Sequence, residues 1–179
     1  MTPNKNRADV ARQMCERGLW QELLAFAQGW HKENPADYQA LFYLGLGLSG
    51  SNRFAEAETA YRRALALDAT DARVWNNLAG ILYERLNRRA EGIRCMEQAL
   101  KINPDNKTGW SNLAAMVGQL GHHDQAMAYA DRAIALDPKL VEAQLHKGAA
   151  AVMLKRVDVV KEVCRALAAI EPEHFRRAR

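Results

Sequence analysis

Cysteine is scarce in this chain, and the three that occur, Cys15, Cys95 and Cys164, lie far apart. They form no CxxC pair and no metal-ligand spacing, so an odd and scattered set indicates a reducing compartment. Cys164 falls on an apolar helical face and is interpreted as a small hydrophobe. The three cysteines therefore predict neither a disulfide framework nor a metal site.

Long hydrophobic runs are missing as well. No window reaches 18 continuous apolar residues, so no membrane-spanning helix is predicted. The first residues, MTPNKNRADVARQ, contain no apolar core of the kind a secretory signal needs. We therefore expect a cytoplasmic protein.

Glycine and proline are sparse, with 11 and 5 residues in 179, and alternating β-branched runs are absent. Alanine and leucine dominate, and 49% of the residues are hydrophobic. Both residues favour helices, and this apolar fraction can build a continuous core. The composition predicts an all-α fold.

Motifs that carry catalysis are also absent. The sequence contains no GxGxxG, GKS/T, HExxH or GxSxG pattern. The run His122-His123-Asp124 is interpreted as a surface turn, because adjacent residues point in different directions and no third metal ligand is evident. We expect no enzymatic activity, no catalytic residue, no cofactor and no metal ion.

Positive charge exceeds negative charge by only four, and part of the excess lies in the tail at residues 175–179. The nearest approach to a basic face is a cluster at a helix end and turn, consisting of Arg85, Arg88, Arg89 and Arg94. Nucleic acid usually requires a more concentrated basic surface. A nucleic acid partner is therefore not expected, and an RNA- or membrane-associated role through the tail ranks last among the functions considered.

The chain repeats itself at a spacing of about 34 residues. The stretch Trp75–Ala79, WNNLA, recurs 35 residues later as Trp110–Ala114, WSNLA, and Pro104 recurs 34 residues later as Pro138. This period divides the chain into units of two helices joined by a turn. The predicted units are residues 4–37, 38–71, 72–106, 107–140 and 141–174, with the extra residue of the third unit placed near 87–89.

Within each unit, small and large apolar residues recur at fixed positions. In the second unit the first helix carries Leu41, Leu44, Gly45 and Leu48, and the second carries Ala57, Tyr61, Ala64 and Leu65. This pattern resembles the tetratricopeptide repeat (TPR) family. The resemblance implies a single array over residues 1–179, a right-handed superhelical solenoid of about five antiparallel helix-turn-helix repeats. Trp75 and Trp110 then occupy the packing position between paired helices rather than a ligand site.

The terminal units depart from the pattern. The first has Arg7 where a large apolar residue belongs, and the fifth has Gln144 and Lys147 at positions that are usually apolar. The second helix of the fifth unit is apolar on more than one face, so the C-terminal end face is predicted to be partly exposed. It could self-associate or dock on a partner. The alternative is that basic side chains solvate it: Lys155, Arg156, Lys161 and Arg165.

The resemblance implies a binding groove lined by the first helices. Five helices at roughly 9 Å spacing give about 40 Å, the span of an extended peptide of about 12 residues. The candidate peptide-binding residues are Gln39, Phe42, Tyr43, Leu46, Arg73, Asn76, Asn77, Tyr83, Thr108, Ser111, Asn112, Gln119 and His146.

Two features of this lining have alternative interpretations. Asn77 and Asn112 occupy equivalent positions and could bind a peptide backbone, or could reflect a residue that is common there in the family. Phe42, Tyr43 and Leu46 could anchor a partner side chain, or could pack against Leu19 or Leu23 of the first unit.

One function of the family is argued against by the residues. Chaperone-binding members hold a terminal carboxylate with lysine and arginine side chains on neighbouring repeats. With Asn77 as the middle residue of such a site, the flanking pairs are Phe42 with Leu46 and Thr108 with Asn112. With Asn112 in the middle, they are Asn76 with Gly80 and Glu142 with His146. Neither alignment supplies the cations, so no dicarboxylate clamp is expected.

Together these features predict a non-enzymatic scaffold or adaptor that binds a peptide or protein segment in the groove. The alternative is a structural scaffold that self-assembles through its apolar end faces into a homo-oligomer.

Overall fold

The computed structural model describes residues 3–170, which form ten α-helices and one π-helical segment. The helices follow one another as five consecutive pairs: α1 (Pro3–Glu16) and α2 (Trp20–Glu33), α3 (Tyr38–Gly50) and α4 (Phe54–Leu67), α5 (Ala72–Gly80) and α6 (Arg89–Ile102), α7 (Lys107–Gln119) and α8 (His123–Leu136), and α9 (Val141–Met153) and α10 (Val157–Ile170). The prediction of an all-α chain of helix pairs is confirmed.

These helices belong to two compact units that divide between Ile102 and Asn103. In the first unit α2 packs on α3, α3 on α4, and α5 on α6. In the second unit α7 packs on α8, α8 on α9, and α9 on α10. The predicted repeat boundaries and the single array over residues 1–179 stay predictions, and the basic tail at 175–179 lies outside the described residues.

The turn inside each of the five pairs contains a residue in the left-handed backbone conformation. One residue in each turn has a positive φ, at Gly18 (68°), Asn52 (60°), Asn87 (53°), Gly121 (84°) and Lys155 (57°). Glycine adopts this left-handed conformation without steric cost, and asparagine tolerates it better than other residues. Two residues after each of these positions a second helix begins, so the turn sets where every second helix starts.

The start of the first helix is capped in three repeats. The side chains of Asp37 and Asp71 accept a hydrogen bond from the backbone N–H two residues later, and that of Asn106 from the N–H three residues later. Such bonds satisfy backbone donors that have no partner within the helix. Leu140 occupies the equivalent position before α9 and makes no side-chain cap.

The extra residue of the third repeat lies inside a helix rather than in the turn. α5 continues into a π-helical segment, Ile81–Arg85, where the N–H of Leu86 donates to the carbonyl of Ile81 at 2.9 Å. The spacing of the positive-φ residues is 35 from Asn52 to Asn87 but 34 from Asn87 to Gly121. The prediction near 87–89 is therefore wrong, because the wider π-type hydrogen bonding absorbs the residue before the turn is reached.

Helices approach closely where a glycine removes the side chain. A methyl group at Gly47 would lie 2.8 Å from the Cα of Leu24, so α3 contacts the backbone of α2 at this point. The Tyr61 ring of α4 lies against Gly45 of α3 and is fully buried. Small residues therefore set the distance between these helices, and large ones fill what remains.

Trp75 and Trp110 are half-buried and connect the first helix to the turn before it. Each donates a side-chain hydrogen bond to a backbone carbonyl six residues earlier, and the residue at the equivalent position of the fifth repeat does the same. The pairs are Trp75 with Ala69 (2.9 Å), Trp110 with Pro104 (2.7 Å) and Gln144 with Pro138 (3.4 Å). The two tryptophans thus have a structural role at the repeat boundary.

The last pair is incompletely buried. In α10 only Val159 and Val163 are buried. Several large apolar side chains of this pair are exposed, namely Leu145, Val152, Met153 and Val157. Cys164, which was interpreted as a small hydrophobe on an apolar face, is also exposed. The predicted exposure of apolar side chains in this repeat is confirmed.

Candidate functional site

In the first unit, the predicted lining residues on α3 and α5 differ in how accessible they are. Arg73 is exposed, whereas four others are half-buried, namely Gln39, Leu46, Asn76 and Asn77. The Arg73 guanidinium lies 4.8 Å from the centre of the Phe42 ring and 2.6 Å from the Asp71 carboxylate. Hydrogen bonding to Asp71 raises the pKa of Arg73 further. The accessible group at this surface is therefore the Arg73 guanidinium, which lies over the Phe42 ring.

The two aromatic candidates beneath this cation are core residues. Phe42 and Tyr43 are 4% and 6% exposed. Tyr43 stacks on Trp30 with ring centres 6.0 Å apart, and Phe42 contacts both Tyr43 and Tyr61. Burial raises the pKa of Tyr43 despite the opposing effect of Arg73. These rings pack within the first unit, which leaves little of them for a partner to contact.

The two equivalent asparagines are in different situations. The Asn77 side-chain amide donates to the carbonyl of Arg73 in its own helix at 2.9 Å. Asn112 on α7 is exposed. Of the two, Asn112 is the side chain better placed to bind a peptide backbone.

Tyr83 and Ser111 are also buried, at 6% and 2% exposure. Tyr83 belongs to the π-helical segment, and the Arg89 guanidinium lies 5.7 Å from its ring centre. Burial raises the pKa of Tyr83, and Arg89 opposes that shift. Neither residue offers much surface for binding.

In the second unit, the predicted residues Thr108, Asn112 and Gln119 are exposed along α7. Gln119 and His146 meet at a cavity of about 280 Å³ between α7, α9 and the start of α8, which we call the α7–α9 cavity. It is lined by Ala114, Ala115, Gly118, Gln119, His123, Ala126, His146, Ala149, Ala150 and Met153. Burial lowers the pKa of His146, with Glu142 opposing, so its imidazole is neutral at pH 7.

His123 is a lining residue that the sequence did not reveal as part of a site. It begins α8, immediately after the turn, and the three consecutive polar residues there resembled an ordinary surface turn. Small residues recur on the inner faces of the two first helices, at 114, 115 and 118 and again at 149 and 150. That recurrence is the signal from which the cavity could have been inferred.

One arginine of the cluster near the third turn, Arg88, is paired with carboxylates. Glu58 accepts hydrogen bonds from Arg62 at 2.8 Å and from Arg88 at 2.6 Å, and Glu91 pairs with the same two arginines. The Arg85 guanidinium lies 5.4 Å from the centre of the Phe54 ring. This network of ion pairs links α4 to α6.

Over residues 3–170, no group of three or more His, Cys, Asp or Glu side chains is arranged to hold a metal ion. In the same part of the chain, no helix is long and apolar enough to cross a bilayer.

Comparison with known families identifies the repeat. One tetratricopeptide repeat model matches residues 48–117, and a second matches residues 109–140. Together they cover more than half of the 179 residues. The chain belongs to the tetratricopeptide repeat family. The resemblance carried by the 34-residue spacing and the WNNLA and WSNLA stretches is thereby confirmed.

Among curated relatives, tetratricopeptide repeat protein 7B of Mus musculus is 30% identical over 106 residues, which are 59% of this chain and 12% of that protein. Hsp70-Hsp90 organizing protein 3 of Arabidopsis thaliana is 26% identical over 95 residues, which are 53% of this chain and 17% of that protein. The chain therefore spans less than a fifth of either relative.

Solved tetratricopeptide repeat structures match nearly all of the chain. The crystal structure of MamA matches with a TM-score of 0.81 at 19% identity, over 96% of this chain and 93% of that one. The crystal structure of YrrB, a TPR protein with an unusual peptide-binding site, matches with a TM-score of 0.76 at 15% identity, over 94% and 87%. At these identities the likeness concerns the fold.

Proposed function

We propose that this protein is a non-enzymatic scaffold that binds an extended segment of a partner protein along its first helices. The observation that carries the proposal is the α7–α9 cavity, where two predicted lining residues, Gln119 and His146, meet at an open, largely apolar depression. Concave sites that combine apolar walls with a few polar groups are the usual form of a binding site. The name of the Arabidopsis relative and the peptide-binding site of YrrB support a protein ligand for this kind of fold.

The lining assigned to the partner consists of the accessible members of the predicted set. In the first unit they are Gln39, Leu46, Arg73, Asn76 and Asn77, and in the second unit they are Thr108, Asn112, Gln119 and His146. In this proposal the four buried members, Phe42, Tyr43, Tyr83 and Ser111, support the surface from beneath.

The partner segment is proposed to bind through its interior rather than through a terminal carboxylate. Thr108 and Asn112 are exposed but uncharged, and Glu142 would repel a carboxylate. A peptide with a free C-terminus and the same peptide with an amidated C-terminus should therefore bind equally well. The cytoplasmic location and the exclusion of nucleic acid remain part of this proposal.

The experiment that tests the proposal places a photo-crosslinking amino acid at Asn112 on α7. A matched control places it at Ala128, which is exposed on α8. After irradiation in an extract of the source organism, we expect one or a few proteins to crosslink at 112, with the crosslinked peptide forming a single extended segment. Equal crosslinking at both positions, or none at 112, would reject the proposal.

A second candidate function is self-assembly through the C-terminal repeat. It is favoured by the exposure of Leu145 (52%), Val152 (59%) and Val157 (62%), because apolar clusters on monomers often mark interfaces. Sedimentation velocity over a hundredfold range of concentration tests it. Self-assembly predicts a rising sedimentation coefficient that Val152→Glu abolishes, and a chain that stays monomeric throughout excludes it.

A further inference from the structure

The α7–α9 cavity exists because the residues that face it are small. Its floor is formed by three buried alanines, Ala114, Ala126 and Ala150, each from a different helix. Ala115 and Ala149 form its sides. Leu46 on α3 occupies the position equivalent to Ala115 and Ala149. This position therefore has a large side chain in the second repeat and only a methyl group in the fourth and fifth.

The lining also determines the charge of what can enter. It contains no carboxylate, ammonium or guanidinium group. A charged group moved into such a site loses its hydration and finds no opposite charge, which is strongly unfavourable. The lining is thus complementary to an uncharged group, and the cavity volume of about 280 Å³ accommodates a large side chain.

The polar groups at the edge of the cavity suit an occupant that belongs to a peptide chain. Gln119 offers an amide and a carbonyl, and His146 a neutral imidazole, so both can hydrogen-bond to backbone groups. Met153 is 63% exposed beside the opening, and its flexible side chain can adjust to occupants of different shape.

We propose that the α7–α9 cavity binds one uncharged apolar side chain, of leucine, methionine or phenylalanine size, from the partner segment, while Gln119 and His146 contact the peptide backbone on either side. This inference rests on the proposed function and specifies it. Binding of the segment then depends on one apolar anchor residue, since burying a side chain of this size is a large share of the affinity of a short peptide.

The test uses the full chain, labelled with ¹³C at alanine and methionine methyl groups. The probes are synthetic 12-residue peptides of serine, glycine and asparagine with a single central residue that is leucine, phenylalanine, methionine, alanine, lysine or glutamate. With the first three we expect saturable shifts of the Ala149 and Met153 methyl signals. With the last three we expect binding at least about tenfold weaker, because they bury less apolar surface or carry a charge.

The Ala149→Leu variant fills the cavity from an exposed position, so the core is left undisturbed. It should weaken binding of the leucine peptide at least about tenfold. The matched control is Ala135→Leu, an exposed alanine on α8 that does not line the cavity, and it should bind as the wild type does. Thermal unfolding verifies that both variants remain folded.

The outcomes separate this proposal from the one on which it rests. Equal binding of leucine and glutamate peptides, undiminished binding by Ala149→Leu, or no methyl shift with any peptide overturns the cavity assignment. In each of these cases the crosslinking experiment at position 112 decides independently whether a partner segment binds the first helices at all.

Discussion

At the scale of single residues, each of the five turns requires one residue with a positive φ, and the residues at these positions adopt that conformation at different steric cost. Gly18 and Gly121 adopt a positive φ freely, and Asn52 and Asn87 at modest cost. Lys155 adopts φ 57° although its Cβ is crowded in this conformation. Unlike asparagine, lysine has no side-chain acceptor for a local hydrogen bond. The fifth turn is therefore the most strained of the set.

Replacing Lys155 with glycine should stabilise the protein by about 1 kcal/mol. Glycine removes the steric cost of the left-handed conformation, and the larger conformational entropy that it loses on folding offsets part of this gain. Urea unfolding followed by circular dichroism measures the change. Lys155→Ala is the control, because it removes the same side chain but keeps the strain. A glycine variant no more stable than the alanine variant would show that the turn is relaxed in solution.

At Gly47 the absence of a side chain, rather than backbone freedom, matters, because it permits close contact between α3 and α2. Gly47→Ala should destabilise the chain by about 2 kcal/mol, because the new methyl group meets the backbone of Leu24 rather than a side chain that could move. Gly29 in α2 has open space around it, so Gly29→Ala should instead stabilise by about 0.5 kcal/mol through helix propensity. Urea unfolding of the pair would contradict this account if both changes had the same sign.

At the scale of elements, the helix pairs were predictable because period and composition determine them, but local hydrogen bonding was not. A spacing of 35 instead of 34 reveals an added residue without revealing whether a turn or a helix contains it. The π-helical segment Ile81–Arg85 resolves that question through contacts such as Leu86 to Ile81. Sequence periodicity alone does not distinguish a bulge from a longer loop.

Deleting Glu84, which is exposed, should be tolerated, because the remaining residues can continue α5 as a regular helix with the 34-residue spacing of its neighbours. We expect the helical signal to be retained and the unfolding free energy to change by less than about 1 kcal/mol. Deleting Arg63 from the regular helix α4 is the matched control. It rotates every later side chain by about 100° relative to the core and should abolish cooperative unfolding.

The candidate site was predictable in outline only. The sequence predicted a lining on the first helices of the repeats, and two of the predicted residues, Gln119 and His146, line the same cavity. The sequence pattern did not predict that Phe42 and Tyr43 are buried, because their burial depends on Trp30 and Tyr61 from other helices. An aromatic residue on a first helix has the same spacing whether it faces a partner or the core.

At the scale of the whole molecule, two partly buried histidines link stability to pH. Burial lowers the pKa of His31 and of His146, with Arg63 adding to the effect on His31. Their folded pKa values lie below the unfolded value of about 6.5, so the unfolded chain binds more protons as the pH falls. Stability should therefore be full above about pH 7 and should decrease as the solution is acidified towards pH 5.5.

Urea unfolding at half-unit steps from pH 7.5 to pH 5.5 measures this slope. The double variant His31→Gln, His146→Gln should flatten it. The window stays above the range where carboxylates of lowered pKa, such as Glu91 and Asp137, begin to be protonated. A slope that is unchanged in the double variant would assign the effect to other groups.

The tryptophans provide an optical consequence of the repeat architecture. Trp20, Trp30 and Trp75 belong to the unit that ends at Ile102, whereas Trp110 is the sole tryptophan of the sequence after Asn103. Its indole N–H is tied to the carbonyl of Pro104, beside the Tyr129 ring. The difference between the fluorescence of the wild type and that of Trp110→Phe is therefore an emission spectrum of the second unit alone. At a temperature where both proteins are folded, this spectrum reports on the second unit without cutting the chain.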